Sequence, residues 1–348
     1  MAIDAPQTAH VRASAERFAA RYVAPRAADA DHGQPGFPSE MFAQGVMAGF
    51  DRLLLPEAAG GADMTPSDLC ALVHTLAKSC AGHALVVGVH AASIAALHAC
   101  GADAVQEVIQ ASVPLGVVYP NPSPGGAGFE PSWDGEPIWA INAASGGFVL
   151  RFDAGGEGEP QARIGRLEAN AMLEPEPALG LRALTLVDVT RAGVHWNTLV
   201  SGQAANELYL RLGAGLCRAV AAAAAGLAEQ ACDKAIEYAR ERYQGGRLIV
   251  DHAHVRALLG AMQAQAFSAA AAVQLAARRP ASVEAAIEAK IAATDAALRC
   301  ATDAVQVLGG YGYMRGYGLE KAMRDAAVLT LLPISNLRAE MLSTALRR

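Results

Sequence analysis

Gln306-Val307-Leu308-Gly309-Gly310-Tyr311-Gly312-Tyr313 ends a long helical pattern, which begins near residue 282 and stops at the adjacent glycines. Ser282 stands where a side-chain oxygen can accept a hydrogen bond from the first turn of a helix. Gly309 stands where many helices place a residue in the left-handed conformation, which glycine adopts without steric cost. The sequence therefore predicts a helix over about 282–308 with both ends defined.

Further helical patterns surround this helix. They cover about 203–243 and about 252–278, and a last pair is interrupted near Pro333, because proline cannot continue a helix. Long helices joined by short connections pack as antiparallel neighbours. Residues 203–348 are therefore predicted to form a four-helix bundle.

The chain before this bundle divides into two regions of different character. Residues 1–113 carry helical patterns, the first of them at 7–30. Residues 114–202 carry short β-like runs between clusters of Gly, Pro and Asn. No pattern of helical length separates these runs, which favours antiparallel pairing over a β-α-β sheet. We expect a mainly α fold in which a small β-barrel-like domain lies between a helical domain and the bundle.

The composition indicates a globular protein with a large core. Hydrophobic residues make up 53% of the 348 residues and charged residues 18%, so disorder is not expected. Residues 79–102 contain no charged side chain and are long enough to span a bilayer. The His, Gly and Ser residues within them favour a buried helix instead, so no membrane association is expected.

Cysteines and charges limit the compartment and the ligands. The six cysteines form no C-x-x-C pair, so neither a disulfide framework nor a metal site is predicted, and buried thiols suit a reducing cytoplasm. The net charge of −6 is uneven, since residues 1–204 sum to −10 and residues 205–348 to +4. A basic C-terminal part suits phosphate-bearing ligands, although ordinary solvated helix faces explain it equally well. A nucleic-acid partner would need a denser basic stripe.

Two C-terminal motifs carry a resemblance to a known family. Arg242-Tyr243-Gln244-Gly245-Gly246-Arg247-Leu248-Ile249 resembles the R-x-Q-F-G-x-x-I segment of the acyl-CoA dehydrogenases. Residues 306–313, together with Glu320, Arg324 and Asp325, resemble the last motif of that family. The order of the three regions is similar as well, so the resemblance covers nearly the whole chain. It implies an FAD-dependent flavoprotein that removes hydrogen from an acyl-CoA thioester.

The resemblance also implies cofactor-binding roles. Arg242 and Gln244 would reach the diphosphate of an FAD held mainly by a neighbouring subunit. Gln306, Gly309 and Gly310 would line the adenosine portion. The chemistry agrees, because a guanidinium matches diphosphate oxygens and glycines let backbone N–H groups approach closely.

Several of these residues also have a structural explanation. Arg242 can pair with Glu241 or Glu237 on the helix surface, and the two glycines can simply end the helix. Ser335 falls where the family often has a flavin-bonding Thr, but it can also cap the last helix.

The β-region resembles the family less closely. Residues 119–128 stand where the family has a T-E-P-x-A-G-S-D stretch that covers the flavin, and residues 139–142 where it has W-I-T-N. Trp139 matches and would lie against the flavin ring, or else it is an ordinary core aromatic. Ile141 replaces the family Thr and loses a hydroxyl that would bond the flavin.

The positions of the family's catalytic glutamate hold other residues. Counting from Arg324 and Asp325 puts Pro333 at the usual position, and counting back from Arg242 puts Leu216 at the alternative one. Neither side chain accepts a proton, and loss of a general base costs about 10²–10⁴-fold in rate. Arg218 lies near a family substrate-binding position, or is only a surface charge.

Three hypotheses follow for the function. The chain is a base-less subunit that needs a partner acyl-CoA dehydrogenase chain, or an active homodimer or homotetramer with an unrecognised base, or a flavin-free binding or assembly protein of the same fold. The absent carboxylates favour the first over the second, and the retained Arg242, Gln306 and Gly310 favour it over the third. If active, the resemblance implies acyl-CoA as substrate and an electron-transfer flavoprotein as partner.

Overall fold

The computed structural model describes residues 6–32, 37–123, 128–130, 138–155 and 158–346. Residues 1–5, and residues 124–127 of the stretch that resembles T-E-P-x-A-G-S-D, therefore lie outside the described part.

The N-terminal region is helical, as predicted. Its helices are α1 (Pro6–Phe18), α2 (Ala27–Asp31), α3 (Phe37–Met47), α4 (Pro66–Ala77), α5 (Ala81–Ala99) and α6 (Val105–Ala111). The single helix expected at 7–30 is instead broken by a π-helical turn at Ala19–Val23 and a 3₁₀ turn at Ala24–Arg26. Pro25 lies in this break, because a proline has no N–H to donate to the preceding turn.

The start of α4 is fixed by a reciprocal cap. The Thr65 hydroxyl accepts a hydrogen bond from the Asp68 backbone N–H at 3.4 Å. The Asp68 carboxylate accepts one from the Thr65 N–H at 2.8 Å. Pro66 occupies the first helical position, where a missing N–H costs nothing.

The middle region is a six-stranded mixed sheet. Its strands are β1 (Gly116–Val118), β2 (Trp139–Ile141), β3 (Phe148–Ala154), β4 (Pro160–Arg166), β5 (Leu186–Asp188) and β6 (His195–Ser201). The strand order is β5-β2-β1-β3-β4-β6. The expectation of antiparallel pairing holds for every strand pair except β1 and β3, which are parallel. One edge of β1 pairs with the antiparallel β2. The other edge pairs with β3, which runs in the same direction as β1.

The C-terminal region contains the long helices. They are α7 (Gln203–Glu241), α8 (Ala253–Ala277), α9 (Val283–Leu308), α10 (Leu319–Leu329) and α11 (Asn336–Leu346). A short hairpin of β7 (Tyr243–Gln244) and β8 (Arg247–Leu248) links α7 to α8. Ser282 caps α9 as predicted, since its hydroxyl accepts the Ala285 N–H at 3.0 Å. Gly309 has φ 57° and ψ −130°, so it needs glycine but is not in the left-handed helical conformation expected for it.

The core is organised around α7, which packs against α4, α5, α8 and α9. Its residues 221–225 are all alanines without solvent exposure. Gly226 lies so close to α4 that an added Cβ would overlap the His74 carbonyl oxygen. On α5, a Cβ added at Gly88 would lie 3.1 Å from the Ala219 Cβ. Small side chains therefore set the distance between these helices.

Two helices are long and apolar enough to cross a membrane by length and composition. They are α5 and α7, but 89% and 78% of their most apolar windows are buried within the protein. Both are therefore explained as core helices, as the sequence predicted for residues 79–102.

We expect Gly226→Ala to lower the free energy of unfolding by about 1–3 kcal/mol, because α4 or α7 must shift to admit the methyl group. Gly260→Ala is the matched control in α8, where an added Cβ meets nothing within 4 Å. This control should stabilise the protein by about 0.5–1 kcal/mol, because it removes glycine from an open helical position. Urea unfolding of both variants tests this difference, and equal stability would refute the packing argument.

Candidate functional site

Arg242, Gln244 and the turn at 306–311 form one exposed surface, which we call the Arg242 surface. The Arg242 guanidinium lies over the Tyr311 ring at 5.8 Å and 3.5 Å from the Gln244 side-chain oxygen. Within the described residues, no carboxylate oxygen lies within 4.0 Å of the guanidinium. The ion pairs with Glu241 or Glu237, which the sequence left open, are therefore not formed.

The glycine turn of this surface is open on its outer side. Gln306 is exposed and its carbonyl accepts the Gly309 N–H, so this turn does end α9. A Cβ added at Gly309 or Gly310 would meet nothing within 4 Å. A Cβ added at Gly312, in contrast, would collide with the Val305 backbone. Packing inside the chain therefore explains glycine at 312 but not at 310.

Three tyrosines support the Arg242 surface. The rings of Tyr238, Tyr311 and Tyr317 contact one another with centroid distances of 5.5–6.3 Å. Tyr238 belongs to α7, so the cluster attaches the loop after α9 to the end of α7. The spacing of Arg242 and Gln306 is thereby fixed by aromatic packing.

Trp139 lies elsewhere, on β2, and is 40% exposed. It is therefore not the ordinary core aromatic that the sequence allowed. The buried neighbour Asn142 has φ 66° and donates a hydrogen bond to the Val86 carbonyl at 3.1 Å. This bond anchors the end of β2 to α5 and orients the strand that presents Trp139.

Ser335 lies just before α11 and accepts a 3.4 Å hydrogen bond from the Arg338 N–H, which is the capping arrangement. The loop around it is held by Lys290 of α9, a fully buried lysine. The ammonium group donates to the carbonyl oxygens of Thr330 at 2.9 Å and Ile334 at 2.8 Å, and to the Asn336 side chain. Burial lowers the pKa of Lys290 to about 8, so the ammonium form still dominates at neutral pH.

Arg218 is half-buried on α7 and is not a free surface charge. Its guanidinium donates to the Pro280 carbonyl at 3.3 Å, and burial lowers its pKa. The residue therefore ties α7 to the turn before α9.

Pro333 lines a small internal cavity together with Cys217, the neighbour of Leu216 on α7. This cavity has a volume of about 20 Å³, which admits roughly one water molecule. Tyr119 forms part of its wall. Its ring stacks on Tyr209 with a centroid distance of 4.5 Å and an interplanar angle of 7°.

The Tyr119 side chain is held firmly in this position. Its hydroxyl donates to the Tyr209 carbonyl at 3.3 Å, and the Tyr209 hydroxyl donates to the Pro120 carbonyl at 2.9 Å. A Cβ on Gly213 would overlap the Tyr119 oxygen, so α7 accepts this ring only because residue 213 is glycine.

No residue that lines this cavity in the described chain is acidic. Burial raises the pKa of Cys217 to about 11 and raises the pKa values of Tyr119 and Tyr209 above the usual tyrosine value. All three groups are therefore protonated at neutral pH and cannot accept a proton from a substrate.

The Arg242 surface and this cavity are far apart. Leu216 and Glu241, at the end of α7, are 25 residues apart, which corresponds to about 38 Å along the helix axis. That distance exceeds the diameter of a small domain. One cofactor molecule cannot lie in the cavity and touch Arg242 of the same chain.

The FAD that the resemblance implies fits the Arg242 surface better than the cavity beside Pro333. An exposed guanidinium, an amide and an open glycine turn form a donor set suited to a diphosphate and its adenosine. On the other side, Ile141 offers no hydroxyl to a flavin. Across the described residues, no cluster of three His, Cys, Asp or Glu side chains could hold a metal ion.

Two functional features were missed by sequence reasoning. Tyr119 was noted only as the first residue of the stretch that matches T-E-P-x-A-G-S-D, and its packing on Tyr209 joins residues 90 positions apart. Lys290 had a visible signal, a lone lysine in the alanine-rich stretch of α9, but its acceptors lie 40 or more residues away.

Two family models match the chain and together cover more than half of it. The N-terminal domain of the acyl-CoA dehydrogenases matches residues 6–110, and the C-terminal domain matches residues 218–332. Both matches agree with the helical regions at the two ends of the fold.

Curated relatives and solved structures agree with these matches. An acyl-CoA dehydrogenase of Bacillus subtilis is 40% identical over 121 residues, or 34% of this chain and 32% of the relative. The chain thus aligns with about a third of the length of the first relatives. A 3-sulfinopropanoyl-CoA desulfinase of Paraburkholderia xenovorans is 27% identical over 91% of this chain and 90% of its own. The butyryl-CoA dehydrogenase structure from Megasphaera elsdenii superposes with a TM-score of 0.79 over all of both chains, at 22% identity, and shows the shared fold.

Family models at both ends of the chain, and a common three-part fold, lead to one conclusion: the chain belongs to the acyl-CoA dehydrogenase family.

Proposed function

We propose that the chain is a base-less, acyl-CoA dehydrogenase-like subunit that works with a partner chain of the same family. In this assembly the partner supplies the catalytic glutamate, the acyl pocket and most of an FAD site. This chain contributes the Arg242 surface to that FAD. The substrate of the assembly is an acyl-CoA thioester, and the six free cysteines suit a reducing cytoplasm.

The small volume of the cavity beside Pro333 is the observation that carries this proposal. A dehydrogenase of this type needs space for the acyl chain and a carboxylate that removes the α-proton. Here the described residues leave only about 20 Å³ beside Pro333, and none of those that line this cavity is a base at neutral pH. An active homo-oligomer with an unrecognised base is therefore less favoured.

The Arg242 surface supports a remaining role in cofactor binding. The Arg242 guanidinium would pair with diphosphate oxygens, and Gln244 would add a neutral hydrogen bond. The open turn at Gly309 and Gly310 would let backbone atoms approach the adenosine. An FAD bound in the partner would supply a hydride acceptor for the acyl β-carbon, and an electron-transfer flavoprotein would reoxidise it.

The comparisons leave the reaction itself open within the family. The relative that aligns over most of its length carries the name of a desulfinase, whereas shorter matches carry the name of dehydrogenases. Dehydrogenation of an acyl-CoA is our proposal because the C-terminal motifs resemble those enzymes. A flavin-free assembly protein is the second candidate, favoured by the same closed cavity.

We expect the isolated chain to bind FAD weakly and the complex with its partner to bind FAD firmly. In that complex, Arg242→Ala should weaken FAD binding about tenfold or more, because it removes a charge-assisted hydrogen bond to the diphosphate. Titration of the apo-complex, followed by flavin fluorescence, measures this effect. Arg240→Ala is the matched control, an exposed arginine in the last turn of the same helix, and it should have no effect.

A colourless complex would reject the flavin role and favour the assembly protein. Equal FAD affinity for the Arg242 and Arg240 variants would reject the Arg242 surface as the contact.

We expect Pro333→Glu alone not to create dehydrogenase activity in this chain, because the cavity beside the new carboxylate, walled by Tyr119, is too small for an acyl group. The measurement is anaerobic bleaching of added FAD by an acyl-CoA, with this chain in the absence of its partner. Pro333→Glu combined with Tyr119→Ala is the control that opens the space. Rapid bleaching by the unmodified chain or by the single variant would contradict the proposal.

A further inference from the structure

A second cavity of about 300 Å³ lies between the N-terminal helices and the bundle, on a different side of α7 from Tyr119. Its walls come from α2, the turn between α4 and α5, α7, α10 and the 3₁₀ turn at Arg315–Tyr317. We call it the Lys234 cavity. Ligand sites of small molecules have volumes of about 300–1,000 Å³, so this cavity suits a compact ligand and is too small for a whole dinucleotide.

The acidic groups of this cavity are already neutralised. Asp31 forms a two-pronged ion pair with Arg324, at 2.9 and 2.7 Å. Glu320 also pairs with Arg324, at 2.8 Å. Asp325 pairs with Lys321 and accepts the Leu181 N–H at 2.6 Å.

Two cations of the cavity form no direct ion pair within the described chain. Lys234 is half-buried on α7, and its ammonium donates to the Tyr317 carbonyl at 3.0 Å. Arg315 is exposed at the rim. For both residues, no carboxylate of the described chain lies within 4.0 Å. Burial and the nearby positive Lys321 lower the pKa of Lys234, and the attraction of Glu237 offsets this only in part.

The beginning of α5 adds neutral donors to the same cavity. Ser79, Cys80 and Ala81 line the wall there. The 19-residue helix has no side-chain cap and no acidic residue in its first turn. Ser79 and Cys80 donate their N–H groups to the Leu76 carbonyl, so it is the first turn from Ala81 onward, at the positive end of the helix dipole, that favours an anion.

We propose that the Lys234 cavity binds a compact anion that carries phosphate, with Lys234 and Arg315 as its cationic ligands and the start of α5 as a neutral donor. Lys78 also lines the cavity but is occupied, because it pairs with Glu229 at 2.6 Å. The ligand class is a phosphate or diphosphate, either free or on a small organic group. This site is separate from the FAD role of Arg242, so it does not depend on the proposed function.

The experiment is isothermal titration of the purified full chain with pyrophosphate, inorganic phosphate and ADP at one ionic strength. We expect saturable binding of pyrophosphate, which Lys234→Met weakens about tenfold or more, because a buried charged hydrogen bond is lost. Lys234→Arg keeps the charge and should retain most of the affinity. If ADP binds more tightly than pyrophosphate, the natural ligand carries a nucleoside; if it binds more weakly, the ligand is the smaller anion.

Two further variants keep the test decisive. Arg315→Met changes only an exposed rim residue, so it reports on the site even if Lys234→Met does not fold. Arg242→Met distinguishes the two anion-binding surfaces. Binding that is lost in Arg242→Met but kept in Lys234→Met would assign the anion to the Arg242 surface and overturn the proposal, as would the absence of pyrophosphate binding.

Discussion

The close approach of helices to the small side chains of α7 is the constraint on which the rest of the structure depends. Gly226 allows the α4 backbone to contact α7 directly, and Gly88 of α5 lies against Ala219. At this separation a single added methylene has no free space, because protein interiors are packed to the density of organic crystals. The position of α5 then fixes the β-sheet, since Asn142 at the end of β2 donates to the α5 carbonyl of Val86.

The helix α7 also explains how one chain can combine a closed interior with an open surface. Near its start, Tyr209 and Gly213 hold the Tyr119 ring, and the space beside Pro333 is almost filled. At its end, Arg242 is exposed and free of carboxylate partners within the described chain. The two places are about 38 Å apart along the axis, so changes at one need not affect the other.

The sequence predicted local features well and distant contacts poorly. Ser282 and the glycines after Leu308 define the ends of α9, because capping depends on residues within one turn. The parallel pairing of β1 and β3 was not predicted, because it depends on which side of β1 is taken by β2. The residues of the candidate site show the same difference between local and distant features. Arg242 and Gln306 were found by a local motif, whereas the Tyr119 ring and the Lys290 ammonium act through contacts with residues far along the chain.

Gly310 shows why the surface suggests a partner. Glycine is required at 309 by its positive φ and at 312 by contact with the Val305 backbone. Neither reason applies at 310, where an added Cβ meets nothing within 4 Å and φ is not positive. A glycine in an exposed turn loses more conformational entropy on folding than any other residue, so nothing within the chain recommends it there. Glycine at 310 is instead consistent with another molecule lying against this turn. A cofactor held by a neighbouring subunit would place its atoms where a side chain at position 310 would otherwise lie. The half-buried position Pro333 and the surface position Gly310 therefore support the same proposal, in which a partner chain supplies the chemistry and this chain supplies the contact.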